Sequence, residues 1–457
     1  LSLEAALRDI AGADWVRTDA DALDAYGQDA LRHVRRPQAV VLPAATACVS
    51  RVAALCHETR TPLVPRGAGT GYSGGAVPVR GGVVLSLERL NRILAIDERS
   101  LFAVVQPHVV TAALQDAARA RGLFYPPDPA SLERSVLGGN VAENAGGPRA
   151  FKYGTTGRFV LGLEAVLATG EIIRTGSRTV KNVVGYDLTR LLVGSEGTLA
   201  IITEIVVRLL PKPRAAETLR ANFADVAAAC AGVAAIVAAG VTPAALELVD
   251  QASLDAVKAY VGEPLAPPGT GAVLLIETDG GPAAAAEDGA AVALACEAAG
   301  ATDVTRAGGE AQRADLWRLR RELSPALRTI AALKLNHDVV VPTGEIPKLF
   351  DLVEHLRRQY GLRIACFGHA GDGNIHVNLM VDPDNAPEVA RAHDAERLLF
   401  EGVVALGGAI SGEHGIGYTK APFLQVELSP ATIALMKALK QAFDPRGILN
   451  PGKIFAD

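Results

Sequence analysis

The chain has 457 residues, enough for two or three domains that each bury a core. Its net charge of -5 and pI near 6.0, with no polybasic run, argue against nucleic acid as the main partner. Five scattered cysteines (Cys48, Cys56, Cys230, Cys296, Cys366), none in a CxxC pair, argue against an iron–sulfur cluster or a disulfide framework and suit a reducing, cytoplasmic setting.

The first residue is Leu1, so the chain is expected to start inside or after a removed segment, and no charged n-region leads into an apolar run. Two short helical patterns, residues 3–11 and 19–30, form a lead-in over 1–32. From Pro37 a βαβ-like order begins, with a strand at 39–42, an amphipathic helix at 45–58 and a strand at 62–65. That strand delivers residues 65–75, PRGAGTGYSGG, in which five of eleven residues are glycine. Glycines at this density let successive backbone N–H groups turn inward as a nest for a phosphate or pyrophosphate. The stretch also matches G-x-G-x-x-G, which marks a dinucleotide fold only when a helix follows. Here Pro78, Gly81 and Gly82 follow, and then a strand at 83–87, so the loop reads as a pyrophosphate cradle between strands.

A second unit has a strand at 102–106, a helix at 110–121 and an extended PPDP segment at 125–129. The glycine-rich tract LGGNVAENAGG comes next, at 137–147. Strands at 160–168 and 171–174 meet at Thr169–Gly170, a hairpin signal. The β-branched run at 194–213 ends at Pro211 and Pro213, where a domain boundary is expected. Beyond it, strands at 218–222, 245–249, 273–278 and 302–305 alternate with helices at 226–241 and 284–298. This pattern predicts an antiparallel sheet with helices on one face, of ferredoxin-like type. The 226–241 helix, capped by Asp225, is too short and too rich in alanine to span a bilayer. Late strands at 338–342, 363–367 and 375–381 precede helices at 388–406 and 430–443, the last capped by Ser429 with Pro430 in its first turn.

The reactive side chains gather late. His369 closes one strand and His376 lies inside the next, across the glycine-rich hairpin GHAGDGNIH. On that second strand His376, Asn378 and Met380 share one face. Further on, SGEHGIG carries Glu413 and His414 side by side. Two histidines and a glutamate form a common ligand set for a catalytic divalent ion, and His414 is then left as a base. A helix opening at Trp317 sets Arg320 and Ser324 one turn apart, and a guanidinium is the natural fork for a substrate carboxylate.

Together these motifs resemble the flavin-linked D-2-hydroxyacid dehydrogenases of the vanillyl-alcohol-oxidase-type (PCMH-type) FAD fold. The resemblance rests on PRGAGTGYSGG, SVLGGNVAENAGG with KYG, GYDLTRLLVGSEGTLAIITE, GHAGDGNIHVN, SGEHGIG and ILNPGKIF, in order from Pro37 to Phe455. It implies an α+β chain: a lead-in (1–32), an FAD-binding domain (33–213), a ferredoxin-like substrate or cap domain (214–409) and a C-terminal segment returning to the flavin (410–457). It assigns the FAD pyrophosphate to Pro65, Arg66, Gly67, Ala68, Gly69, Thr70, Gly71, Ser73, Gly74 and Gly75. Further FAD contacts fall on Pro127, Asp128, Ser135, Val136, Leu137, Gly138, Gly139, Asn140, Ala142, Gly146, Gly147, Tyr153 and Gly154. Glu196, Gly197, Ile202 and, from the tail beside Lys453, Asn450 complete that set.

The resemblance also implies a divalent metal (Zn, Mn or Fe) on His369, His376 and Glu413, with His414 as base, Asn378 as a substrate-side amide and Arg320 on the substrate carboxylate. The implied activity is oxidation of a small D-2-hydroxy acid to the 2-oxo acid, with electrons leaving to a quinone, a cytochrome, an electron-transfer flavoprotein or an iron–sulfur partner subunit. Members favouring 2-hydroxyglutarate carry a lysine where this chain has Asn336, and Lys334 lies two residues earlier, so D-lactate or glycolate is favoured. Rival readings are D-2-hydroxyglutarate oxidation, an FAD-dependent transferase like the alkylglycerone-phosphate synthases, a metal-dependent hydrolase and a flavin-binding module without chemistry. The expected location is cytoplasmic, at most peripheral to a membrane through the acceptor, with no transmembrane segment; a homodimer is left open.

Overall fold

The computed structural model describes residues 2–456. It divides into two compact units, one built from Leu1–Gly147, Gly154–Lys212 and Glu413–Asp457, the other from Pro148–Tyr153 and Pro213–Gly412.

In the first unit, three short apolar strands, Ala39–Val41, Val83–Ser86 and Leu63–Arg66, run parallel in that spatial order. Their continuous apolar character suits parallel strands covered on both faces. The helix Thr46–Thr59 supplies one cover, burying Val49, Val52, Ala53 and Cys56 at i, i+3, i+4 and i+7. It stops at Arg60, whose left-handed backbone lets its N–H cap the last turn. A second, five-stranded sheet is antiparallel throughout, in the order Ile93–Asp97, Phe102–Val105, Ile201–Arg208, Val160–Val166, Ile172–Gly176. Its last hairpin turns at Gly170, with φ +91°, where the sequence marks it.

The tract at 137–147 becomes a helix, Leu137–Glu143, although two of its first three residues are glycine. Gly138 explains this: its N–H donates to the Pro107 carbonyl, and a Cβ there would lie 2.6 Å from the Pro107 side chain. Close backbone approach outweighs the helix cost of glycine, about 1 kcal/mol. The C-terminal tail then returns to the first sheet. Leu63 donates to Ile448 and accepts from Asn450, forming a parallel bridge with Leu449.

The second unit is a seven-stranded antiparallel sheet, ordered Asp303–Arg306, Ala215–Phe223, Ala272–Gly280, Ala245–Asp250, Arg363–His369, Asn374–Val381, Leu333–Val340. Its helices do not keep to one face. Gln251–Val261 and Glu310–Ile330 pack on Val249, Val273, Leu275, Ala365 and Phe367. Val226–Ala238 lies on the other face, with Gly232 against Phe223 and Leu274. The strand apolar on both sides (AVLLIETDG, eight of nine residues buried) explains why both faces need a cover. The arginine helix begins at Glu310, seven residues before Trp317, and continues through Pro325; the last strand begins at Leu333 rather than at Asp338.

Candidate active site

Register alone gathers several of the candidate residues on one face of the second unit. In antiparallel pairs, directly opposed residues point to the same side. Glu247 lies opposite His369, His376 opposite both Phe367 and Asp338, Asn378 opposite Ala365 and Asn336, and Met380 opposite Lys334. Arg320 reaches the same face from the Glu310–Ile330 helix.

Glu247 is fully buried at its centre. One carboxylate oxygen accepts from His369 Nδ1 at 2.5 Å and the other from Arg320 Nε at 2.5 Å. Burial alone would raise this carboxyl, but the electrostatic pull and hydrogen bonds of His369 and Arg320 bring it down to about 2. The Arg320 guanidinium also lies over the Phe367 ring, 4.9 Å from its centroid. It is thus held by one edge and one face. Among the described residues no acceptor takes a hydrogen from its two outer nitrogens. The His369 and His376 rings stand 5.5 Å apart, nearly perpendicular. With Nδ1–H donated to Glu247, the His369 lone pair lies on Nε2, the tautomer in which imidazole ligates metal through that atom. Two imidazoles so placed fit part of a divalent-ion donor set.

Asn378, fully buried, donates its amide hydrogens to the carbonyls of Ala365 and His376, which leaves Oδ1 without a partner. Lys334 adds positive charge on the same face. Burial, then Arg328 and Arg320, lower its pKa to about 8. At the hairpin tip, Asp338 accepts from Asn374 Nδ2 (2.6 Å), Ser411 Oγ (3.2 Å) and the Gly412 N–H (2.9 Å). It therefore ties the start of SGEHG to the histidine hairpin.

In the first unit, the loop from Pro65 to Gly75 has the properties of an anion cradle. Among the described residues no acceptor takes the backbone N–H of Ala68, Gly69, Thr70 or Gly71. A Cβ on Gly71 would meet nothing within 4 Å, and on Gly139 only Val136 at 3.8 Å, so a ligand has room to approach bare backbone. Ser73 Oγ is buried without a partner. These features fit a pyrophosphate-bearing cofactor. Arg66 braces the loop from beneath, donating to the Gln28 carbonyl at 2.6 Å, and burial lowers its pKa. The segment Glu413–Gly417 belongs to this unit. Glu196 accepts from the N–H groups of Ile416 and Gly417, both at 2.7 Å, and Tyr418 N–H donates to the Ser73 carbonyl. A Cβ on Gly146 would lie 2.9 Å from a Glu413 carboxylate oxygen, and the His414 ring centroid is 5.5 Å from that of Tyr72.

Two family models cover most of the chain. "FAD binding domain" matches residues 37–176, and "FAD linked oxidases, C-terminal domain" matches residues 212–454. The glycolate oxidase subunit GlcD of Bacillus subtilis is 45% identical over 94% of this chain and 92% of its own. The chain belongs to the FAD-linked oxidases. A D-lactate dehydrogenase of Anaerostipes hadrus is 38% identical, covering 92% of this chain and 90% of its own. The solved structure of p-cresol methylhydroxylase superposes with TM-score 0.82 at 20% identity, over 100% of this chain and 96% of that one. That likeness confirms the PCMH-type fold, and the family establishes FAD as the cofactor of this oxidoreductase.

Within this FAD-linked oxidase, the expected site residues fall into two groups. Arg320, His369, His376 and Asn378 share the sheet face of the second unit, while Glu413 and His414 fall in the first. Tyr153, expected at the flavin, groups with the second unit and donates its hydroxyl to Asp279 at 2.6 Å. Asn450 spends its amide hydrogens on the carbonyls of Gly75 and Glu196 and accepts from Lys453, so its side chain stitches the glycine loop to the tail. Sequence reasoning missed Glu247 and Asp338. The signal for Glu247 was legible: an acid between Leu246 and Leu248, inside an apolar run rather than at the strand's end as Asp250 is.

Gly71→Ala should fold and melt like the parent, because open space surrounds the new methyl group and no positive φ is required there. It should nevertheless retain less FAD after gel filtration. Equal FAD content in the two proteins would place the cofactor away from this loop.

Proposed function

We propose that the chain oxidises a small D-2-hydroxy acid, D-lactate or glycolate, at its CH–OH carbon to the 2-oxo acid. The observation that carries this reading is Arg320, largely buried and held by Glu247 through Nε, with its outer N–H pair open to a carboxylate. Relatives named glycolate oxidase subunit and D-lactate dehydrogenase support the substrate class.

When bound, FAD supplies the two-electron acceptor for the Cα hydride, and a divalent ion supplies Lewis acidity at the hydroxyl. His369 and His376 would hold that ion together with Glu413. Chain connectivity supports the third ligand, because Glu413 follows Gly412 by one peptide bond, about 3.8 Å between Cα atoms. Gly412 is itself fixed by Asp338 and packed on Asn374. Arg320 would bind the substrate carboxylate and orient the hydroxyl, Asn378 Oδ1 would accept from it, and His414 would take its proton at an imidazole nitrogen. Electrons then leave to a separate acceptor, in keeping with the word "subunit" in the relatives' names. Among the described residues no helix is long and apolar enough to cross a membrane.

A second reading, oxidation of a 2-hydroxy dicarboxylate, is favoured by Lys334. Strand period two puts it on the same face as Asn336 and Asp338, so a cation is present although the sequence position nearer Asp338 is asparagine. A panel of D-lactate, glycolate and D-2-hydroxyglutarate, scored by kcat/KM, separates the two.

His414→Ala should keep its FAD and lose flavin reduction by substrate by 10²-fold or more, the usual contribution of a general base. Unchanged reduction removes His414 from the reaction. The Lys334 ammonium is charged below about pH 8 and neutral above it. If it grips substrate, kcat/KM for a dicarboxylate should fall as pH rises through that value, and Lys334→Met should flatten the fall. An identical profile in the variant assigns the titration elsewhere.

A further inference from the structure

Building on that reading, we infer that Glu247 is the positioning residue that sets both the substrate arginine and the first metal-binding imidazole. The same strand pairing that brings Glu247 opposite His369 leaves its two oxygens with separate duties. One receives His369 Nδ1–H and the other Arg320 Nε–H. The first contact fixes the tautomer, so Nε2 carries the lone pair that a cation needs. The second fixes the rotation of the guanidinium about its stem, with Phe367 closing one face, so the remaining N–H pair projects as a fork. Glu247, with no exposed surface, acts through the two groups it holds.

The isosteric amide discriminates sharply. Glutamine offers one accepting oxygen and one N–H₂ where two donors must be received. If its oxygen keeps Arg320, its N–H₂ faces His369 and forces the Nε2–H tautomer, which cannot ligate through Nε2. If the oxygen keeps His369, the N–H₂ opposes Arg320 Nε–H and displaces the guanidinium. Either way one function fails, while the flavin loop lies in the other unit.

The test uses the full-length FAD-loaded protein, stripped of metal by chelator and titrated with Zn²⁺ by calorimetry, with ¹⁵N-imidazole spectra of the same samples. The His369 signal is assigned by its loss in His369→Ala. Wild type should show His369 with hydrogen on Nδ1. Glu247→Gln should keep its FAD, show hydrogen on Nε2 or a raised KM for D-lactate, and, where the tautomer changes, bind Zn²⁺ about 10–100-fold more weakly. Glu247→Asp should keep the wild-type tautomer and most of the Zn²⁺ affinity. Wild-type His369 found with hydrogen on Nε2, or a Gln variant matching wild type in tautomer, Zn²⁺ affinity and KM, overturns the inference. Should the Gln variant not fold, the wild-type spectrum and the Asp variant still decide. Failure of D-lactate and glycolate to reduce the flavin, with the tautomer change intact, would sink the substrate reading and leave this assignment of Glu247 standing.

Discussion

A carboxylate in the middle of a seven-stranded sheet, with no exposure to water, is the constraint from which the second unit's chemistry follows. Removing such a group from water costs several kcal/mol unless opposite charge and hydrogen bonds replace the lost hydration. Glu247 meets that requirement with two donors, the His369 imidazole and the Arg320 guanidinium. Apolar packing around it, from Val249 and Phe367 on the sheet to Leu319 and Leu323 on the arginine helix, keeps the pair dry and fixed. The same contacts that make the carboxylate tolerable therefore preorganise an imidazole and a guanidinium.

The first unit solves a different problem, which is to keep a loop of bare backbone in one shape. Its glycines give the cradle room but contribute no side chains to hold it. Support comes from far away in sequence: Asn450 on the Gly75 carbonyl, Lys453 on the Val77 carbonyl, and Tyr418 on Ser73. Glu196, itself at φ +53°, anchors the backbone that follows His414. The glycine loop, the Glu413–Gly417 segment and the C-terminal tail are thus one hydrogen-bonded assembly.

Much of this was legible in the residues. The strand after PRGAGTGYSGG ruled out a Rossmann helix, and period two on residues 375–381 put His376 and Asn378 on one face, as the register confirms. What could not be read was tertiary. Propensity opposes a helix at Gly138 and Gly139, and only the Pro107 contact makes it sensible. Helices on both faces of the second sheet could not be inferred from alternation alone. Glu247 carries no motif; its importance comes from a strand pairing 122 residues apart in sequence. Lys334 looked displaced by two positions from where a second cation is wanted, yet a two-residue shift along a strand keeps the face and moves the charge only about 7 Å.

The reading proposed for this FAD-linked oxidase is that it dehydrogenates a D-2-hydroxy acid at its flavin. Anaerobic addition of D-lactate or glycolate to the purified yellow protein tests it most directly. The expected result is bleaching of the oxidised flavin band by D-lactate and glycolate, with L-lactate inert. A flavin that stays oxidised with every 2-hydroxy acid offered would contradict the account.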